Sequence, residues 1–214
     1  MKKATIFLAV FVMLFAIGGV SAYFTATDEA ENRWTVGDVT IELLEEEYDK
    51  VPEEERHNIT PDKVFTKDPI VRNVGTNDAF VFLEVSVPKA NVRTASADGT
   101  AQPAAVQELF SYGISEGWTK VTEETSASDK NTYVYAYADS ETACSPLKAG
   151  GSTPPLFKNQ KVTFINILEG QGLEGKTLEI PVHSYGIQTT DLGESDAISP
   201  SEVWDILKCQ VDSK

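Results

Sequence analysis

The sequence contains few of the side chains that most often bind metals or carry out catalysis. Only two cysteines and two histidines, His57 and His183, occur among 214 residues. Two cysteines cannot build a zinc ribbon or the disulfide framework of a cysteine-rich mini-domain. Two histidines leave little material for a histidine-based active site, although a single histidine or an all-carboxylate site would still be allowed. These counts disfavour metal-cluster and histidine-based functions.

Basic residues are also scarce, with 18 Lys and Arg against 33 Asp and Glu and a net charge of −15. A chain of this charge is repelled by nucleic-acid phosphates and by anionic membrane surfaces. We therefore expect no nucleic-acid partner. Hydrophobic residues make up 41% of the chain, which is enough for one domain with a substantial core.

A long apolar run occurs once, at the N-terminus. Two lysines at positions 2 and 3 precede the uncharged run 4–20, and Ala22 ends a small-residue motif. This pattern is typical of a secretory signal peptide covering residues 1–22, cut by signal peptidase between Ala22 and Tyr23. Loss of the two lysines would change the net charge from −15 to −17. The alternative is an uncleaved anchor, because the run is barely long enough to span a bilayer. We expect membrane contact only before cleavage, and a secreted single domain of residues 23–214.

Alternation of apolar and polar residues dominates the rest of the chain and indicates half-buried strands. The segments with this pattern are 39–43, 80–87, 133–138, 162–168 and 178–187. Segment 80–87 is apolar on one face and half aromatic on the other, which predicts a central strand. Pro181 cannot donate to a strand ladder, so it predicts an edge position or a bulge.

Helical patterns are short and few. Residues 102–110 and 199–207 each have a proline in the first turn followed by apolar residues at helical spacing, and Ser199 is a suitable N-cap. Strands separated by turn-rich loops, with short helices in the connections, predict an all-β fold: an antiparallel β-sandwich or jelly roll.

Four segments carry a family resemblance, in this order along the chain: GGVSAYFTATDEAENRWTVGDVTIELLEE, ITPDKVFTKDPIVRNVGTNDAFVFLEVSVP, KTLEIPVHSYGIQ and SEVWDIL. They resemble the TasA/camelysin family of Gram-positive bacteria, whose export signals are SipW-dependent. The resemblance implies a jelly-roll-like sandwich that assembles into extracellular biofilm-matrix fibres. Residues 90–131 and 139–160 are loop-rich and match no motif of the family, so their function stays open.

The resemblance also implies that the processed N-terminal segment, about residues 23–33, is donated as a strand to a neighbouring subunit. The residues themselves fit this role, because the mature start alternates β-forming side chains and contains no proline. The donor residues are Tyr23, Phe24, Thr25, Ala26 and Thr27. The alternative is that they form an edge strand of their own domain or adopt no fixed structure. The expected partners are copies of the same chain or a related matrix protein.

Two other functions remain open. Camelysin carries the name of a metallopeptidase, yet the sequence contains no H-E-x-x-H or H-x-x-E-H motif. Glu53 or Glu54 could share a helical face with His57, and His183 lies on a predicted strand, whereas a catalytic zinc needs three protein ligands. We therefore predict no catalytic residues and no bound metal. The third function is a monomeric cell-surface binding module that recognises a ligand through its loops.

Two further sites are suggested by residue type. Asp191, Glu194 and Asp196 could bind calcium through their carboxylates, although their spacing is not that of an EF-hand and equally fits a polar turn. An even cysteine count in an exported chain predicts a disulfide between Cys144 and Cys209, with two free thiols as the alternative.

Overall fold

The structure consists almost entirely of antiparallel strands. The computed structural model describes residues 37–57, 59–127, 129–192 and 198–211. The strands are β1 (Ile41–Leu44), β2 (Val64–Thr66), β3 (Ile70–Asn73), β4 (Ala79–Val92), β5 (Ala105–Glu108), β6 (Phe110–Ile114), β7 (Trp118–Ala127), β8 (Lys130–Tyr137), β9 (Phe157–Phe164) and β10 (Val182–Gln188). The helices are α1 (Glu46–Asp49), α2 (Glu53–Arg56) and α3 (Pro200–Val211).

The first sheet has the strand order β10-β4-β8-β7, and β5 pairs with the end of β4. The central strand predicted over 80–87 is confirmed, because β4 has β10 on one side and β8 on the other. The alternation of β4 gives it two buried faces: Val81 and Leu83 face one core, whereas Phe80 and Phe82 face another.

The second sheet is formed by two parts, β1-β3 and β2-β9-β6. Residues 151–156 run alongside β3 and continue directly into β9. Main-chain hydrogen bonds from Thr153 N to Val71 O (2.9 Å) and from Leu156 N to Pro69 O (3.0 Å) join this segment to β3 and the residue before it. The two parts therefore form one continuous layer.

The two sheets and α3 form three layers, and a hydrophobic core lies between each pair of neighbouring layers. The larger core lies between the two sheets and contains Val85, Phe157 and Phe164. The smaller core lies between the outer face of the first sheet and α3, and contains Val134 and Leu207. Burial of each such side chain contributes about 1.5–3 kcal/mol. The predicted all-β sandwich with few short helices is thus confirmed.

The side of the sandwich formed by β1 and β10 is closed by direct packing. Ile41 lies against Gly186, and a Cβ at position 186 would be only 3.2 Å from Ile41 Cδ1 and Cγ2. Because β10 ends the first sheet and begins just after Pro181, the predicted edge position of this proline is also confirmed.

The predicted C-terminal helix is confirmed, with its start one residue later and its end four residues later than predicted. The Ser199 carbonyl accepts the first main-chain bond of α3, from Val203 N at 3.0 Å. The Ser199 hydroxyl bonds to the Glu202 carboxylate at 2.6 Å. Pro200 occupies the first helical position, where its missing N–H has no cost.

The predicted helix over residues 102–110 is wrong. Ala105–Glu108 form β5 and pair with the last four residues of β4, and Phe110 begins β6. The extension of β4 to Val92 offers main-chain N–H and C=O groups to a neighbouring strand. Pairing with them satisfies the main-chain hydrogen bonds of residues 105–108 better than a short isolated helix would. Leu109 and Phe110 enter the core, while Val106 stays 64% exposed.

The description of residues 90–131 as loop-rich is also wrong. This region contains the end of β4, all of β5, β6 and β7, and the start of β8. Residues 139–156 do lack regular strands apart from isolated bridges. The strand predicted over 162–168 exists as β9, but it begins at Phe157 and ends at Phe164.

Candidate functional site

The predicted signal peptide and donor strand lie outside the described residues. This applies to the cleavage pair Ala22 and Tyr23, and to the donor residues Tyr23–Thr27. The structure describes the domain that such a strand would join, beginning at Gly37.

Two edges that could accept an added strand lie on the side of the sandwich formed by β6 and β7. β6 pairs with β9, and β7 pairs with β8, so each ends its own sheet among the strands that the structure describes. Residues 115–117 connect the two strands, and no main-chain hydrogen bond joins β6 to β7 in the described part of the chain. We call this the β6–β7 side.

Aromatic side chains line the β6–β7 side between the two sheets. The hydroxyls of Tyr112 in β6 and Tyr135 in β8 share a hydrogen bond of 3.4 Å that spans the sheets. The Tyr112 ring contacts Phe157 edge-on, with centroids 4.9 Å apart. Lys120 Nζ lies 4.3 Å from the centre of the Tyr133 ring. Burial, reinforced by the neighbouring Tyr135, raises the pKa of Tyr112, so this phenol stays protonated.

Beside this aromatic lining is a polar cluster that the sequence analysis missed. Lys89 Nζ donates to Asn131 Oδ1 at 2.7 Å, and Asn131 Nδ2 donates to Glu108 Oε1 at 2.7 Å. The Tyr133 hydroxyl donates to the same carboxylate oxygen. Lys89, Glu108 and Asn131 are each half-buried. Only the pairing of β4 with β5 and β8 brings these residues together, so no local sequence pattern could have indicated the cluster.

The two histidines are both exposed. His57 follows α2 with an extended backbone, and its Nε2 lies 3.5 Å from Glu53 Oε1, so the two side chains are neighbours although His57 is not part of the helix. His183 lies in β10 opposite Glu84 of β4. Within the described ranges, no group of three or more His, Cys, Asp or Glu side chains is placed to hold a metal ion.

The calcium candidate falls largely outside the described residues. Glu194 and Asp196 belong to the stretch 193–197, which the structure does not describe. Asp191 is exposed and has a left-handed backbone with φ of 58°.

Cys144 and Cys209 are free thiols, so the structure has the second of the two predicted alternatives and not the disulfide. Cys144 is buried next to the start of α3, where its N–H donates to Ile198 O at 2.7 Å. Cys209 is exposed near the other end of that helix. A rise of 1.5 Å per residue separates these points by about 15 Å, far beyond the Cα separation of a disulfide.

Comparison of the chain with family models, with curated proteins and with solved structures found no match. Within the part of the chain that the structure describes, no helix is both long and apolar enough to cross a bilayer.

Proposed function

We propose that this chain is a secreted structural subunit of an extracellular biofilm-matrix fibre of the TasA/camelysin type. After the signal peptide is removed, residues 23–27 of one subunit add as a strand to the sandwich of the next. The subunit has no catalytic role in this proposal, and its partners are further copies or a related matrix protein.

The observation that carries the proposal is that β6 and β7 each have only one neighbouring strand among the residues that the structure describes. An edge strand presents free N–H and C=O groups that can pair with another chain. Of the aromatic side chains between these edges, Tyr112 and Tyr133 are half-buried and offer apolar surface for the alternate side chains of an added strand. Tyr23 and Phe24 are side chains suited to such a surface.

A second observation supports the family assignment. The segments that carry the resemblance lie next to one another in the fold: β1 pairs with β3, and β10 pairs with β4. Trp204 of the closing segment contacts Phe82 of β4 and Tyr185 of β10, with ring centroids 5.4 and 5.3 Å apart. The described parts of these segments, which do not include residues 18–36, therefore lie next to one another in one domain.

Processing supplies the control step of this assembly. Before cleavage, residues 23–27 are tethered through the signal peptide to the membrane. After cleavage, they form a free N-terminal segment that can reach a neighbouring subunit. Assembly is thus confined to the outside of the cell, where the matrix is needed.

The test is negative-stain electron microscopy of purified residues 23–214, with and without calcium. Two variants are imaged beside it: one lacking residues 23–27, and one in which these five residues are replaced by alternating Gly and Ser. We expect fibres in the unmodified protein alone, because both variants lose the β-forming donor side chains.

Circular dichroism of all three proteins is the matched control, since the sandwich itself should remain folded. Fibres in the Gly/Ser variant would contradict the donor-strand role. Monomers in every sample would contradict the fibre function and would favour the monomeric binding module.

A further inference from the structure

The polar cluster next to the β6–β7 side contains an amine, a carboxamide and a carboxylate on one face of the first sheet. Lys89 of β4 lies directly opposite Glu108 of β5. Asn131 of β8 lies opposite Val87, two residues before Lys89. Because side chains of a strand alternate between its faces, Lys89 and Val87 share a face, and Asn131 shares it with them. Three different strands thus deliver the three groups to one point.

The hydrogen bonds fix the orientation of the carboxamide. A lysine ammonium only donates and an ionised carboxylate only accepts, so Asn131 must turn its oxygen to Lys89 and its nitrogen to Glu108. Both distances are 2.7 Å. Tyr133 holds the same Glu108 oxygen, and its hydroxyl oxygen also lies 3.3 Å from Asn131 Nδ2.

This arrangement places a nucleophile beside an electrophile. The carbonyl carbon of Asn131 is one C=O bond, about 1.23 Å, beyond the oxygen that Lys89 contacts, so Nζ is at most about 3.9 Å from Cγ. Reacting atoms in near-attack geometry are about 3–3.5 Å apart. A rotation of the flexible lysine side chain is sufficient to cover the difference.

We propose that Lys89 and Asn131 form an intramolecular isopeptide bond, with Glu108 as the catalytic proton carrier. The Glu108 carboxylate first takes one proton from the Lys89 ammonium. The neutral amine then attacks Cγ of Asn131 and forms the Nζ–Cγ bond, while the carbonyl electron pair moves onto Oδ1. The C=O bond then re-forms and the Cγ–Nδ2 bond breaks. Glu108 gives its proton to Nδ2, and the released ammonia takes the excess proton from Nζ and leaves as an ammonium ion.

The step is balanced without any other reactant. A lysine ammonium and a primary amide give a secondary amide and one ammonium ion, with no change in oxidation state, and Glu108 returns to its starting form. Its position agrees with this role, because its carboxylate touches the leaving nitrogen and its backbone lies opposite that of Lys89. The polar cluster would then be a self-acting covalent site, separate from fibre assembly.

The product would join β4 to β8 covalently across 42 residues of sequence. These strands are neighbours at the centre of the first sheet, so the bond would tie together strands that otherwise separate only by breaking the main-chain ladder. The expected benefit is resistance to unfolding, since a cross-link restricts the unfolded chain.

The deciding measurement is the mass of the intact purified chain, followed by mass spectrometry of its tryptic peptides. We expect an intact mass lower than calculated by one ammonia. We also expect a joined peptide in which 73–93, uncut at Lys89, is linked to 131–148. A full calculated mass, with unlinked peptides ending at Lys89 and beginning at Asn131, would overturn the proposal without bearing on fibre formation.

Three variants separate this bond from other losses of ammonia. Lys89→Arg and Glu108→Gln should have their full calculated masses, whereas Lys130→Arg, a neighbouring lysine outside the cluster, should still lose one ammonia. A loss of ammonia that persists in Lys89→Arg would identify succinimide formation and overturn the proposed bond between Lys89 and Asn131. A complete bond in Glu108→Gln would overturn the catalytic role of Glu108. Since the unmodified chain alone decides whether the bond exists, misfolding of a variant cannot hide the result.

Discussion

Asn73 and Asp68 show how single buried polar residues determine the conformation of the neighbouring backbone. Asn73 is fully buried. Its Nδ2 donates to the carbonyls of Asn77 and Leu147 at 2.8 and 3.0 Å, and its Oδ1 accepts from Gly75 N at 3.0 Å. Asp68, 1% exposed, accepts from the N–H groups of Glu47 and Tyr48 at the start of α1. Buried groups of this kind are tolerated because each has its hydrogen bonds satisfied.

The two cysteines should differ in reactivity. Burial raises the pKa of the Cys144 thiol to about 12, whereas Cys209 is exposed. The thiolate is the reactive form, so at mildly alkaline pH the folded protein should take up one iodoacetamide, at Cys209, and the denatured protein should take up two. Peptide mass spectrometry identifies the labelled residue.

Cys209→Ser provides the matched control, since this variant should take up no label while folded and one after denaturation. Labelling of Cys144 at the same rate as Cys209 in the folded protein would contradict its buried position. If neither cysteine took up iodoacetamide, even after denaturation without a reductant, the two would be joined in the disulfide that the structure lacks.

At the scale of elements, Trp204 is one of the buried side chains that hold α3 on the first sheet. This side chain is 6% exposed and contacts Phe82 and Tyr185. The helix covers the outer face of the sheet, including Val134 and Ile187, which would otherwise be open to water. Such a face must be covered in a folded domain because exposure of apolar surface costs free energy in proportion to its area.

Trp204→Ala should therefore lower the free energy of unfolding by about 3–5 kcal/mol. The physical reason is the loss of two ring contacts and the cavity left between helix and sheet. Urea unfolding followed by far-ultraviolet circular dichroism measures the effect. Ser201→Ala, an exposed position of the same helix, should change the value by less than about 0.5 kcal/mol. Equal midpoints for the two variants would show that α3 does not stabilise the sheet.

At the scale of the whole molecule, charge opposes association. The net charge of −15, or −17 without the two N-terminal lysines, makes copies of this protein repel one another. The proposed strand addition would join subunits through main-chain hydrogen bonds and apolar contacts, neither of which salt abolishes. Screening the repulsion should then favour assembly.

We therefore expect the sedimenting fraction of residues 23–214 to increase from low salt to about 1 M salt, where the screening length falls to about 3 Å. The variant lacking residues 23–27 should stay in the supernatant at both salt concentrations. Fibres that dissolve as salt is added would contradict this prediction and would indicate subunits held together by ion pairs.

The sequence alone predicted those features that depend on local patterns. Alternation identified the central strand β4 and the strand β8, and the missing N–H of Pro181 indicated an edge position or a bulge. Ser199 and Pro200 marked the start of α3, because capping and fixed φ act within a single turn. These signals are local, so they can be recognised without knowledge of the fold.

Only the tertiary structure decided what depends on pairing between distant segments. Residues 105–108 follow a helical pattern but form β5, because the free edge of β4 lies beside them. The even number of cysteines predicted a disulfide, but Cys144 and Cys209 lie near opposite ends of α3. Lys89, Glu108 and Asn131 carry no shared motif and meet because strand register places them on one face. Register is set by the whole hydrophobic pattern of a sheet, so its consequences cannot be read from any one segment.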